Sequence, residues 1–231
     1  SFNQNRSNWD VSGVEIMYSM FSGIKLSTSN YDSLLDGWAS LPNLQSDVPF
    51  DAGDSQYCLG EDSRSVLNST PNNWIITDDG KDSSCIDPTT RFISIWNTSK
   101  TSPDSSDITS VKLPLEDGGI YDFIVDWGDG NTTIVTSWDS GNATHDYGVE
   151  GTKNISITGT IQGFRFNNVG DKLKIIDIEQ WGVLNVGNSG AYFHGCSNLD
   201  VSATDALNLT GTTDIYSMFR DATNFNGNIN N

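Results

Sequence analysis

Two short stretches at opposite ends of the chain align without gaps. Near the start, Trp9-Asp10-Val11-Ser12-Gly13-Val14 leads to Met17-Tyr18-Ser19-Met20-Phe21-Ser22-Gly23. Near the end, Leu207-Asn208-Leu209-Thr210-Gly211-Thr212 leads to Ile215-Tyr216-Ser217-Met218-Phe219-Arg220-Asp221. Gly, Tyr, Ser, Met and Phe are identical at matched places, and the apolar positions keep one spacing. A weaker copy, Phe193-His194-Gly195-Cys196-Ser197-Asn198-Leu199, stands 26 residues before residues 219–225, and Phe225-Asn226-Gly227-Asn228 echoes Phe2-Asn3-Gln4-Asn5. A unit of about 25 residues buries its apolar face only against neighbouring units. The repeat therefore predicts a stacked, solenoid-like segment at each end, over residues 1–30 and 169–231, with a non-repeating insert between them. The alignment places Cys196 in line with Ala222 and Ile24, so it is expected to be a buried free thiol.

After the first repeat, Tyr31, Leu34, Leu35, Trp38 and Leu41 share one helical face, and Pro42 ends that helix. A second short helix is expected near Glu61 to Leu67. Cys58 and Cys85 close a loop of about 28 residues, and a bridge there stabilises by about 3–4 kcal/mol on a chain-entropy argument. Residues 31–88 are read as a disulfide-stapled cap over the first solenoid segment.

The insert, residues 89–168, is organised around Tyr121-Asp122-Phe123-Ile124-Val125-Asp126-Trp127-Gly128-Asp129-Gly130. Tyr121, Phe123, Val125 and Trp127 fall on one face at period two, and the Asp-Gly pair supplies turn chemistry. Thr132 to Thr136 then alternate as a β-branched second strand of a hairpin. Further strands are expected at Phe92 to Trp96, at Val111, Leu113 and Leu115, at Ile155 and Ile157, and at Ile161 to Phe166. Thr98 to Asp107 reads as a loop. Six or seven short strands in about 75 residues suit an immunoglobulin-like sandwich. Lys172 to Ile178 resumes the repeats, so the fold class is mainly β: a sandwich between two solenoid segments.

Charge narrows the function. Thirty acids against 12 bases give a net charge of −18, which argues against nucleic acid and against an anionic membrane surface. No apolar run approaches the roughly 18 residues of a spanning helix. Asn, Ser, Thr, Gly and Asp are plentiful while Lys and Glu are scarce, a balance expected outside the cell. With Ser1 rather than a charged leader at its start, the chain is expected to be a mature product or an excised fragment.

Two resemblances follow from these residues. Asp126-Trp127-Gly128-Asp129-Gly130, then Thr144-His145-Asp146-Tyr147 and Asn154 to Gly159, resembles the polycystic-kidney-disease (PKD) domain family. That likeness covers roughly residues 90–165 and implies a non-catalytic β-sandwich spacer in extracellular proteins. The flanks, Phe2-Asn3-Gln4-Asn5 with Trp9-Asp10-Val11-Ser12 and Met17 to Phe21, resemble BspA-type leucine-rich-repeat surface proteins. That likeness implies microbial cell-surface adhesion and carries over no catalytic residue.

Candidate chemistry is sparse. Asp126 and Asp129 are read as turn carboxylates bonding nearby amides rather than calcium ligands, because the spacing lacks the alternating oxygens and distal Glu of a calcium loop. His145 and Asp146 are strand neighbours pointing to opposite faces, so no triad forms with Ser140, and His145 is expected to bond across the hairpin end. His194 is expected to be exposed. No catalytic, cofactor or metal site is assigned, and an enzyme is not expected. Trp9, Trp38, Trp74, Trp96 and Trp127 are expected in cores, which leaves Trp138 and Trp181 as candidates for stacking on sugars. Candidate glycosylation sequons are Asn68, Asn97, Asn131, Asn142, Asn154 and Asn208; Asn5 is set aside as pointing inward.

The expected function is a non-enzymatic extracellular structural or adhesive surface protein, a unit of a longer array or head-to-tail filament. Its expected partners are copies of itself or adjoining repeats through the solenoid ends, surface glycans, or other cell-surface proteins. The alternative is a carbohydrate-binding module using the solenoid face or the exposed Trp residues.

Overall fold

A computed structural model describes residues 2–227; Ser1 and residues 228–231, with the Asn228 and Ile229 of the last repeat, lie outside the described residues. The chain is mainly β and divides into two compact units, Ser1–Asp87 and Pro88–Asn231.

In the first unit, helix α1 runs Thr28–Ala39. It begins earlier than its apolar face indicates because Ser27 is the N-cap, its hydroxyl accepting from the Asn30 amide. Tyr31, Leu34, Leu35 and Trp38 are buried, as their helical spacing requires. Trp38 packs edge-on to Phe50 at 5.1 Å and beside Trp74 at 6.3 Å. Strand β1 (Pro49–Asp51), helix α2 (Glu61–Asn68) and strand β2 (Ile75–Thr77) follow.

The sequence shows no 25-residue repeat across this segment, yet its backbone extends a parallel ladder. Met17 bridges Phe50, and β1 pairs in parallel with β2. Ladder bonds need only backbone, so they leave no mark in the side-chain pattern. Two polar knots fasten the ladder. The buried Asp32 carboxylate accepts from the amides of Cys58, Leu59 and Gly60 at 2.8–3.0 Å, and Asp78 takes both the Arg64 guanidinium and the Tyr31 hydroxyl. Cys58 and Cys85 are bonded, with Cα atoms 5.3 Å apart.

The second unit is built on strands β3 (Phe92–Asn97), β4 (Ser110–Lys112), β5 (Leu115–Asp126), β6 (Thr132–Val135), β7 (Thr144–Asp146), β8 (Thr152–Phe164), β9 (Ile175–Gln180), β10 (Leu184–Asn185) and β11 (Asp200–Val201). The large sheet is ordered β11-β9-β3-β8-β5-β6, β10 pairs in parallel with β8, and β4 pairs with β7. The hairpin forms as its alternation requires, with Phe123 opposite Val135 and Asp126 opposite Thr132, and Tyr121, Phe123, Val125 and Trp127 all buried. Gly128 closes it in the left-handed region at φ 77°, where a Cβ would meet the Asn154 carbonyl at 2.2 Å.

Two strand expectations need correction. Ile155, Ile157 and Ile161 lie on one 13-residue strand, β8, rather than two. Leu115 belongs to β5 and not with Val111, because an irregularity at residues 115–120 lets β5 stay on β8 across its two glycines.

Beyond β8 the backbone repeats itself. The amides of Ala191, Phe193 and Gly195 donate to the carbonyls of Tyr216, Met218 and Arg220, each 25 residues on, and those of Phe166 and Asn168 donate to Tyr192 and His194. Ser19, Ala191 and Ser217, matched across three repeats, share φ of 53–54°. The rings of Phe166, Phe193 and Phe219 stand one above another at 6.3 and 5.5 Å.

Candidate functional site

The end of the β5–β6 hairpin gathers a polar cluster around an aromatic floor. Asp126 and Asp129 each accept from a backbone amide two residues on, Gly128 and Asn131. His145, on β7, lies flat on Trp127 at 5.1 Å and edge-on to Tyr147 at 4.6 Å, and its Nε2 is 2.8 Å from Asp129 Oδ2. Tyr147 donates its hydroxyl to the Trp127 carbonyl, and the Trp127 indole donates to Thr133. These contacts tie turn, strand and sheet together.

Burial works to raise the Asp129 pKa, but hydrogen bonds from His145 and Asn131 prevail and hold it at about 2. A carboxylate whose folded pKa lies below its unfolded value of about 3.9 adds stability above that value and loses it as pH falls toward the folded one. His145→Ala should therefore destabilise the second unit at about pH 5 and by less near pH 2. Urea midpoints of both proteins at the two pH values check this; a constant difference would contradict it.

The tryptophans sort differently from their expected places. Trp38, Trp74, Trp96 and Trp127 are buried, but Trp9 is 40% exposed, with the Arg6 guanidinium lying over both the Phe2 and the Trp9 rings. Trp181, expected at the surface, is 1% exposed: it meets Phe193 edge-on at 5.8 Å, and the Asp205 carboxylate accepts from its backbone amide and that of Gly182. Trp138 is 46% exposed. His194, expected exposed, is largely covered, with Nε2 3.2 Å from Asp221 Oδ2 of the next repeat.

Cys196 is free and buried, and burial pushes its thiol well above the ordinary range. Asn68, Asn131, Asn142, Asn154 and Asn208 are exposed and Asn97 is half-buried; the Asn142 amide nitrogen already donates to the Ile134 carbonyl. Asn5 is exposed rather than inward-facing, its side chain accepting from the Ser7 amide. Among the described residues, no group of three or more His, Cys, Asp or Glu is placed to hold a metal ion, and no helix is long and apolar enough to cross a membrane.

Two matched apolar positions differ in exposure between the first and last repeats. Val11 is 4% exposed and its counterpart Leu209 41%; Met17 is 6% exposed and its counterpart Ile215 56%. In the first repeat β1 lies alongside Met17, whose amide donates to Pro49 and whose carbonyl accepts from Asp51. Trp9, Val14, Ile16, Tyr18 and Met20 line an open groove of about 690 Å³ in that same repeat.

Lys174, fully buried, was not legible as a site. Its ammonium donates to the carbonyls of Ser106, Asp107 and Ser110 and to the Ser106 hydroxyl, all at 2.8 Å, and stands 3.5 Å from the buried Asp171. The available signal was a lysine inside the apolar run Leu173 to Ile176, three residues after an aspartate.

Residues 1–41 and 162–231, together just under half of the chain, match the family model described as "Mycoplasma protein of unknown function, DUF285". No curated protein and no solved structure matches the chain significantly.

Proposed function

We propose that the chain is a non-enzymatic structural or adhesive part of an extracellular surface protein, with leucine-rich-repeat-like turns of BspA type flanking an immunoglobulin-like, PKD-type sandwich. The observation that carries this reading is the 25-residue register in which residues 191–195 donate to residues 216–220. A stack whose successive turns share one backbone geometry serves as a spacer or a display surface whose length is set by the number of turns. The family match to 1–41 and 162–231 supports an insert between two parts of one repeat region. For the sandwich, the support is the six strands β3 to β8 and the burial of Val111 of β4 in one core with Trp96, Val125 and Ile155. The disulfide supports an oxidising compartment.

The expected partner is a further turn of the same phase, supplied by a longer chain or by another copy. Leu209 and Ile215 are the positions it covers, as β1 and its neighbours cover Val11 and Met17. The second reading, glycan recognition, is favoured by one observation, the exposed indole of Trp138. Trp181 drops out of it because no sugar reaches a buried ring. A glycan array with the native chain and Trp138→Ala separates the readings. The structural reading expects no saturable binding by either; reproducible binding lost in the variant would replace it with glycan recognition.

A further inference from the structure

We propose that the cleft between residues 102–106, the β4–β5 connection and residues 165–171 binds a small amphiphilic carboxylate, a molecule with one carboxylate head and an apolar body. The cleft lies wholly within the second unit and has a volume of about 280 Å³, just below the ~300–1,000 Å³ typical of small-molecule sites and so suited to a small ligand. Its floor is apolar: Leu113 and Phe166 are buried there, and Leu115 is partly buried.

Two cations line this small space, Lys112 and Arg165. In a chain with 30 acids and 12 bases, most Lys and Arg are already engaged. Arg64, Lys81, Lys174 and Arg220 are in ion pairs, Arg6 and Lys153 lie over aromatic rings, and Lys25 and Lys172 bond side-chain amides. Neither Lys112 nor Arg165 has an ion-pair partner among the described residues. Arg165 is nevertheless held: its Nε donates to the Gly190 carbonyl at 2.9 Å, which fixes the guanidinium and leaves its terminal nitrogens for a planar, two-oxygen acceptor.

The other charged groups facing the cleft are two aspartates. Asp171 is spent: its carboxylate accepts from the Ser106 amide and hydroxyl and the Lys112 amide at 2.6–2.7 Å, with the Lys174 ammonium beside it. Asp104 is exposed at the rim, where it disfavours ligands carrying several negative charges.

The wall is preorganised. The four bonds from Lys174 and the bond from the Ser102 hydroxyl to the Gly170 carbonyl hold the 102–110 loop against the repeat region. A ligand entering the cleft therefore has little loop ordering to bring about.

The test uses the full chain and two probes of equal size and opposite charge, phenylacetate and 2-phenylethylamine, titrated by ligand-observed NMR. Phenylacetate should saturate and the amine should not. Lys112→Ala, an exposed side chain whose removal leaves the fold intact, and Arg165→Gln should each weaken phenylacetate about tenfold. No saturation by phenylacetate at up to ~20 mM, unchanged binding in both variants, or equal binding of the amine would each overturn the assignment.

Discussion

Lys174→Met is expected to lower the stability of the second unit by about 3–5 kcal/mol, the usual cost of removing one partner from a buried ion pair. The ammonium is fully buried, stands 3.5 Å from Asp171 and donates to the carbonyls of Ser106, Asp107 and Ser110. Methionine fills the volume but donates nothing. A buried acceptor left unsatisfied costs about 1–3 kcal/mol, and Asp171 keeps its charge with only neutral donors around it. Against a total of about 5–15 kcal/mol for a domain, such a loss brings the unit near unfolding. Urea denaturation measures it. The double variant Lys174→Met with Asp171→Asn should lose less than the two single variants together, because the charge left stranded by the first change is removed by the second. An effect under about 1 kcal/mol would show the pair to be incidental.

Phe193→Ala should cost about 3–5 kcal/mol, the range for truncating a fully buried aromatic. Phe193 is the ring through which the turns of the second unit meet, with Phe166 below it, Phe219 above it, Trp181 edge-on and Phe164 beside it, all within 6.3 Å. Backbone bonds on both sides restrain these neighbours, so the cavity cannot close. Tyr216→Ala, at an exposed ring of the adjacent turn, should change stability by less than about 0.5 kcal/mol. Comparable losses in the two variants would mean that the stacked rings are not what holds the turns together.

Side-chain periodicity made much of this fold legible. The Tyr121 to Trp127 alternation gave β5 its buried face, the Tyr31 to Trp38 spacing gave α1, and the match of Cys196 with Ala222 placed the thiol inside. What escaped is held by backbone or by single polar contacts. The parallel bridge from Met17 to Phe50 uses only main-chain groups, so residues 31–87 read as irregular. Trp9 and Trp181 exchanged places because Trp9 fits an apolar periodicity while Trp181 stands between Gln180 and Gly182. Arg6 lies over the first ring, and Asp205 and Phe193 meet the second residue, partners that a period-based reading does not see. Lys174 is not legible because sequence alone does not show that a lysine in an apolar run is buried and paired. The cleft beside it depends on Lys112 and Arg165, 53 residues apart, which only the folded chain brings to one place.

Leu209 and Ile215 of the last described turn are exposed where Val11 and Met17 of the first repeat are buried, and we propose that a further turn of the same phase covers them. Sedimentation velocity over a wide concentration range, on the native chain and on Leu209→Asp with Ile215→Asp, tests this most directly. The native chain should show a weight-average sedimentation coefficient that rises with concentration as copies stack, and the variant a constant, monomeric one. A native chain that stays monomeric up to ~200 µM, or a variant that associates equally well, would contradict the claim.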